Sequence, residues 1–141
     1  MILKLQLPWP PSWNKLYRIA GSRMYKTSEA RDYENVVHGI FLEVPGWHSK
    51  RFGNKRVSVQ IDICPPDKRR RDLDNLLKII NDSLETAKII DNDCQIDFLS
   101  IKRGPKLKDG IINLVIREIG WDQRGSDSEF EAYKINRGEN E

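Results

Sequence analysis

The sequence predicts a single α/β domain of the α+β kind, with one mixed sheet of about four strands packed by two helices in the order β-α-β-α-β-β. Three observations carry this expectation: four runs in which apolar and polar residues alternate, two segments with apolar residues every three or four positions, and Pro or Gly between them. A chain of 141 residues suits one core and leaves little for a second.

Leu3, Leu5 and Leu7 alternate with Lys4 and Gln6 as in a half-buried first strand, which Pro8 ends. Trp9-Pro10-Pro11-Ser12-Trp13-Asn14 follows. The prolines between Pro8 and Pro11 cannot donate to a ladder, so a stiff, extended loop is expected. Thr27 or Ser28 is a good N-cap, and Ala30, Tyr33, Val36, Val37, Ile40, Phe41 and Val44 form the apolar stripe of a helix that Pro45-Gly46 ends. Residues 47 to 55 read as a loop. Val57, Val59, Ile61 and Ile63 then alternate with Ser58, Gln60 and Asp62 in a strand closed by Cys64-Pro65-Pro66. Leu76, Leu77, Ile80, Leu84 and Ala87 predict a second helix over about residues 74 to 88. Residues 96 to 103 and 111 to 117 read as two more strands, expected to pair as an antiparallel hairpin around a basic connection bounded by Gly104-Pro105 and Asp109-Gly110. The domain is expected over residues 1 to 120. Residues 121 to 141 form an acidic tail, either a short helix on Phe130, Tyr133 and Ile135 or without fixed structure.

The net charge is +3, but residues 121 to 141 hold six acids against three bases, which leaves +6 on the body. A basic body suits a polyanionic partner. No segment approaches the roughly 20 apolar residues of a membrane span, and the start lacks the apolar core of a secretory signal, so the expected location is the cytoplasm with no membrane partner. Cys64, Cys94, His38 and His48 show neither zinc spacing nor a triad context. No small-molecule cofactor is expected.

The informative segment is Lys68-Arg69-Arg70-Arg71 running into Asp72 and Asp74 at the start of the second helix. In an extended segment these two carboxylates point to the same side. The plainer reading makes Asp74 an N-cap, lets Asp72 favour the positive helix end and leaves the arginines solvated. Against it stands a further acidic cluster, Asp91-Asn92-Asp93, in the loop leaving the helix. Asp93 returns beside the pair only if the following strand neighbours the central one. Unit charges about 4 Å apart interact by roughly 4 kcal/mol at an effective dielectric near 20, so three carboxylates in one cleft call for a cation. Hard oxygen ligands suit Mg²⁺, with Mn²⁺ as a substitute, rather than zinc. Such an ion can activate water against a phosphodiester. Lys78, four residues after Asp74, can orient a carboxylate or stabilise charge on a phosphate.

The surrounding cations fit a phosphate backbone: Arg69, Arg70 and Arg71 with Lys102, Arg103, Lys106 and Lys108. Lys15, Arg18, Arg23 and Lys26 interleave with Trp13, Tyr17 and Tyr25, and aromatics beside cations can stack on unpaired bases. The competing reading is that Trp9 and Trp13 plug the core.

Three segments together, Leu7-Pro8-Trp9-Pro10-Pro11-Ser12-Trp13-Asn14, Pro66 to Lys78 and Ile90-Asp91-Asn92-Asp93-Cys94-Gln95-Ile96, resemble the RusA-type Holliday junction resolvases, phage-associated endodeoxyribonucleases that cut four-way DNA junctions. The likeness covers about residues 1 to 119. It implies a homodimeric α/β fold, Mg²⁺ dependence, and an active site of three aspartates and a lysine. These fall on Asp72, Asp74 and Asp93, which would hold the metal, and on Lys78. One departure is that the usual pair of adjacent aspartates before the Gln reads Asn92-Asp93, and spacing to Gln95 selects Asp93. DNA contacts are expected from Lys68, Arg69, Arg70, Arg71, Asn14, Lys15, Arg18, Lys102 and Arg103. The expected function is a Mg²⁺-dependent, structure-selective endonuclease of bacterial or phage origin. It would resolve four-way junctions by paired nicks in recombination and repair, with a symmetric dimer matching two symmetry-related phosphates. A non-catalytic branched-DNA-binding protein and a nuclease selective for other branched DNA remain the alternatives.

Overall fold

The computed structural model describes residues 1–120, and the expectations for residues 121–141 lie outside them. β1 (Ile2–Pro8) is followed by a single helical turn, α1 (Trp13–Leu16), and a hairpin of β2 (Tyr17–Ala20) and β3 (Arg23–Lys26). Then come α2 (Ser28–Leu42), β4 (Val57–Cys64), α3 (Leu73–Thr86), β5 (Ile96–Arg103) and β6 (Ile111–Glu118). The α+β class and the mixed four-stranded sheet are as expected. The extended loop is shorter than predicted, because α1 and the small hairpin occupy residues 13 to 26. Elements of four residues are too short for apolar periodicity to mark.

The sheet order is β1-β6-β4-β5, with β4 and β5 parallel and the other two pairings antiparallel. Leu5, Leu114, Ile61 and Ile101 stand in register across it. Leu3, Leu5, Leu7, Ile112, Leu114, Ile116, Val59, Ile61 and Ile63 are buried, as period-two alternation requires of a sheet with one covered face. The opposite face is polar, with Gln6 donating to Asn113 at 3.2 Å and Lys102 paired with Asp62 at 3.6 Å. The core cluster is completed by Tyr33, Val37 and Phe41 of α2 with Leu76, Ile80 and Leu84 of α3. Among the described residues no helix is long and apolar enough to cross a membrane.

The expected hairpin of the last two strands is wrong. β5 and β6 lie on opposite sides of β4 and do not pair with each other. Because α3 carries the chain back along the sheet, β5 re-enters parallel to β4, as a helical crossover dictates. β6 then takes the other edge of β4. The link between them crosses the end of β4, where Gly104 N–H donates to the Ile63 carbonyl at 2.7 Å and Leu107 N–H to the Pro65 carbonyl at 2.9 Å.

Gln95 shows how the return from α3 is held. Its buried amide donates to the Gly53 and Lys55 carbonyls at 2.8 and 2.6 Å and accepts from the Asp91 and Asn92 N–H groups at 2.9 and 3.0 Å. All four bonding positions are used, so two loops that carry no core strand are tied together. Gln95→Ala should therefore cost about 2–3 kcal/mol, since it removes four part-buried hydrogen bonds at once and leaves the Gly53 carbonyl only the Asp91 N–H. Urea unfolding of the variant against the parent checks this, and a change below half a kcal/mol would contradict it.

Candidate functional site

α3 starts at the end of β4, and its first residues carry the acidic pair. Asp72 occupies the N-cap with extended backbone (φ −80, ψ 131), while Asp74 lies in the first helical turn. The pair thus straddles the transition from extended chain to helix, and the same-side argument for an extended segment does not apply. Asp72, not Asp74, holds the capping position. An aspartate there ordinarily accepts a bond from the second or third helical N–H, yet the Asp72 side chain makes no capping bond. Asp74 likewise has no hydrogen-bond or ion-pair partner among the described residues, and both residues are exposed. Two carboxylates at a helix N-terminus are left uncommitted.

The basic run divides. Arg71, with only 22% of its side chain exposed, pairs with Asp67 at 2.8 Å and lies over the Trp9 ring at 5.3 Å. Its carbonyl accepts from the Arg103 guanidinium. Asp67 also accepts from the Arg69 N–H at 2.9 Å. Arg71 and then the Arg69 backbone hold the Asp67 carboxyl below the ordinary aspartate range. Lys68, Arg69 and Arg70 point to solvent.

Trp9 is fixed from below as well. Gly110 has φ +68, and a Cβ there would stand 2.9 Å from both Trp9 Cβ and Pro66 Cδ, so the last strand's approach presses directly on this corner. Tyr33, whose phenol burial pushes up, donates to the Pro8 carbonyl at 2.8 Å and anchors the start of the proline segment. The result is an open cleft of about 300 Å³ whose walls include Trp9, Trp13, Asn14, Arg70, Asp72 and Asn75. A second hollow of about 390 Å³ on the other side of Arg71 is lined by Lys68, Arg69, Arg103 and Lys106. The stiff proline loop and the arginine run therefore meet over Asp72, and Trp9 and Trp13, half-buried, pack against the core on one side and wall the cleft on the other.

Lys78 does not pair with Asp74. Its Nζ lies 3.3 Å from Asp82, one turn further along α3, and 5.7 Å from the centre of the Tyr17 ring. Tyr17 O–H donates to Asp82 at 2.7 Å. Burial and then the bond to Asp82 push that phenol up. Asp82 is 16% exposed, so its carboxylate has lost more hydration than Asp74 and gains more from a neighbouring cation. Asp82 carries no signal in the motif, although the i, i+4 spacing of Lys78 and Asp82 is a usable one, and Tyr17, expected as an aromatic for stacking on bases, instead bonds to it.

Asp93 sits elsewhere. β5 does neighbour β4, but its parallel direction puts the start of β5 at the far end of the sheet from Asp72. Fourteen residues of α3 intervene, a helix of about 20 Å. Among the described residues no three His, Cys, Asp or Glu side chains stand together as a metal-holding group. Lys102 is also apart. Alternation along β5 sends it to the polar face opposite Asp62, whereas Arg103 bonds to the Arg71 carbonyl and lines the second hollow. Asn14 lines the cleft, and Lys15 and Arg18 are exposed on α1 and β2.

The family model described as Endodeoxyribonuclease RusA matches residues 8–117. A crossover junction endodeoxyribonuclease of Enterobacteria phage HK97 is 34% identical over 113 residues, covering 80% of this chain and 92% of the relative. The corresponding protein of Escherichia coli strain K12 is 34% identical over 124 residues, covering 82% and 94%. That of Enterobacteria phage 82 is 33% identical over 120 residues with the same coverage.

The Asp67–Arg71 bond has a pH signature. Because the folded carboxyl titrates below its unfolded value, its contribution is complete above the ordinary aspartate range and disappears as pH falls through the depressed value. The stability difference between the protein and Asp67→Asn should thus be present at neutral pH and vanish in strong acid. A difference that persists unchanged in acid would show that the carboxylate's charge contributes nothing.

Proposed function

The chain belongs to the RusA family of endodeoxyribonucleases, and on that premise we propose that it cuts crossover, four-way DNA junctions with a divalent cation. Mg²⁺ is the natural choice and Mn²⁺ a substitute. The observation that carries the reading is the uncommitted pair Asp72 and Asp74 at a helix start whose cap bond is not made, with Asp72 in the wall of a cleft shared with Trp13, Asn14 and Arg70. Their donor set fits a hard cation: exposed carboxylate oxygens, with neither Cys nor His among the described residues that line the cleft. When bound, such a cation supplies Lewis-acid polarisation of the phosphodiester and eases deprotonation of the attacking water.

The rest is the work of the chain. Asp72 and Asp74 hold the charge that attracts the cation. Arg70 and Arg69, both exposed and Arg69 only loosely paired with Asp67 at 3.8 Å, take flanking phosphates, while Arg71 keeps the loop in shape through Asp67 and Trp9. Lys78, steadied by Asp82 and Tyr17, offers positive charge to the phosphate as negative charge develops. Asp93 can complete the set only from a second copy. A two-fold axis that sets the edge strand β5, with its exposed Phe98 and Leu99, antiparallel to its copy reverses that copy. It thereby carries the copy's Asp93 end toward Asp72 and Asp74. Such a homodimer presents two equivalent sites for two symmetry-related nicks.

On a synthetic four-way junction with Mg²⁺, the protein should make paired nicks. Asp72→Asn should lower cutting at least about 100-fold while keeping or tightening binding, since it removes negative charge facing phosphate. Equal cutting by both would overturn the assignment. Mixing Asp72→Asn with Asp93→Asn chains should restore nicking, because one of the two shared sites in a mixed dimer is then intact. No restoration would mean the site does not span two chains.

Replacing Arg69 and Arg70 with Ala should weaken junction binding at low salt and flatten its salt dependence, by a slope of about 0.9 per lost phosphate contact. Binding measured from low to moderate salt checks this, and an unchanged slope would turn these arginines away from DNA.

A further inference from the structure

β2 and β3 form a sheet of their own, outside the four-stranded one. The hairpin turns at Gly21-Ser22, with Gly21 at φ +63, the conformation that a tight primed turn demands at its first central residue. Its base is tied down on both strands. Tyr17 bonds to Asp82 of α3 at 2.7 Å, and Lys26 pairs with the buried Glu34 of α2 at 2.7 Å. Glu34 in turn accepts from Thr86 at 3.1 Å. From that base the strands reach outward by about 10 Å.

The projecting end is not what a solvent-facing hairpin should carry. Ile19 and Met24 are directly opposite each other, on the face that holds Tyr17 and Lys26 at the base, and are 79% and 50% exposed. The other face pairs Arg18 with Tyr25 and Ala20 with Arg23. Between Ser12 and Ser28 the chain has four cations and no acid. Of the cations, only Lys26 has an acidic partner among the described residues. An apolar tip flanked by unpaired arginines repels its own kind and attracts a polyanion with an apolar interior. The hairpin also adjoins the cleft, because the Tyr17 ring lies 4.3 Å from that of Trp13, which shares the cleft wall with Asp72.

We infer that this hairpin is a wedge, with Ile19 and Met24 inserting between bases at the branch point of a four-way junction while Arg18 and Arg23 hold the adjacent phosphates. The inference rests on the crossover-junction reading above and adds the means of opening the junction. Proteins that kink DNA insert apolar side chains in this way, at the expense of base stacking. At a branch point stacking between arms is already interrupted, so the wedge favours junctions over duplex. Its two anchors lie on α3 and α2, which also support Lys78 and the cleft, so insertion and phosphate placement are mechanically linked.

The test uses the full chain carrying Asp72→Asn, bound to a four-way junction with 2-aminopurine at the branch point. Binding should raise the fluorescence severalfold. Adding Ile19→Ser and Met24→Ser should abolish that rise while changing junction affinity only a few-fold, and Ile19→Leu with Met24→Leu should restore it. In the otherwise unaltered chain, the double serine variant should also cut junctions markedly more slowly. An undiminished fluorescence rise in the serine variant overturns the wedge while leaving the junction reading intact. A change of oligomeric state in that variant, seen by sedimentation, would make the hairpin a subunit contact and overturn it equally. Failure of the parent to bind the junction at all would overturn the junction reading and the wedge with it.

Discussion

The parallel pairing of β4 with β5 is the constraint on which the rest depends. Two consecutive strands can run parallel only if the chain between them travels the length of the sheet, and α3 makes that journey. Its N-terminus is thereby fixed at the end where β4 stops, and its C-terminus at the end where β5 begins. The acidic pair and Asp93 are separated for the same reason that the sheet closes correctly. The free flank of β4 is taken by β6, and the connection from β5 passes across the end of β4, bringing Arg103 and Gly110 to the corner where Asp72 stands.

At that corner, packing and charge are not independent. Trp9 is pressed by Gly110 on one side and covered by Arg71 on the other, and Arg71 is oriented by Asp67. A run of four cations would repel itself if all four converged. Turning one inward onto an aromatic ring and a carboxylate relieves this repulsion and gives the loop a shape, which leaves its neighbours directed outward. The arginine that looks most like a ligand for phosphate, the one beside Asp72, is the one committed to structure.

A second linkage runs along α3. Asp82 accepts from Tyr17 and pairs with Lys78, while Thr86, one turn further on, donates to Glu34, which holds Lys26. The small hairpin is therefore moored to the same helix that presents Asp74 and Lys78, although it shares no backbone ladder with the main sheet. Short strands that would be marginal alone are held by side-chain bonds to the two helices.

Much of this was legible in one dimension. Alternation in β1, β4 and β6 and the stripes of α2 and α3 mark their elements because period two and period 3.6 are local properties of the chain. The motif segments around Trp9, Asp72 and Asp93 likewise identify the family without any fold. What local pattern does not encode is pairing: the antiparallel hairpin expected from turn residues near Gly104 and Gly110 gave way to a crossover. Nor does it reveal which of several equally spaced partners a side chain takes. Lys78 has a carboxylate four residues away in each direction, and only the arrival of Tyr17 from a distant hairpin favours Asp82. The sequence by itself determined the long strands and helices and the family. Strand order, the division of the basic run and the separation of Asp93 from Asp72 and Asp74 were decided by tertiary structure, because each depends on contacts between residues far apart in the chain.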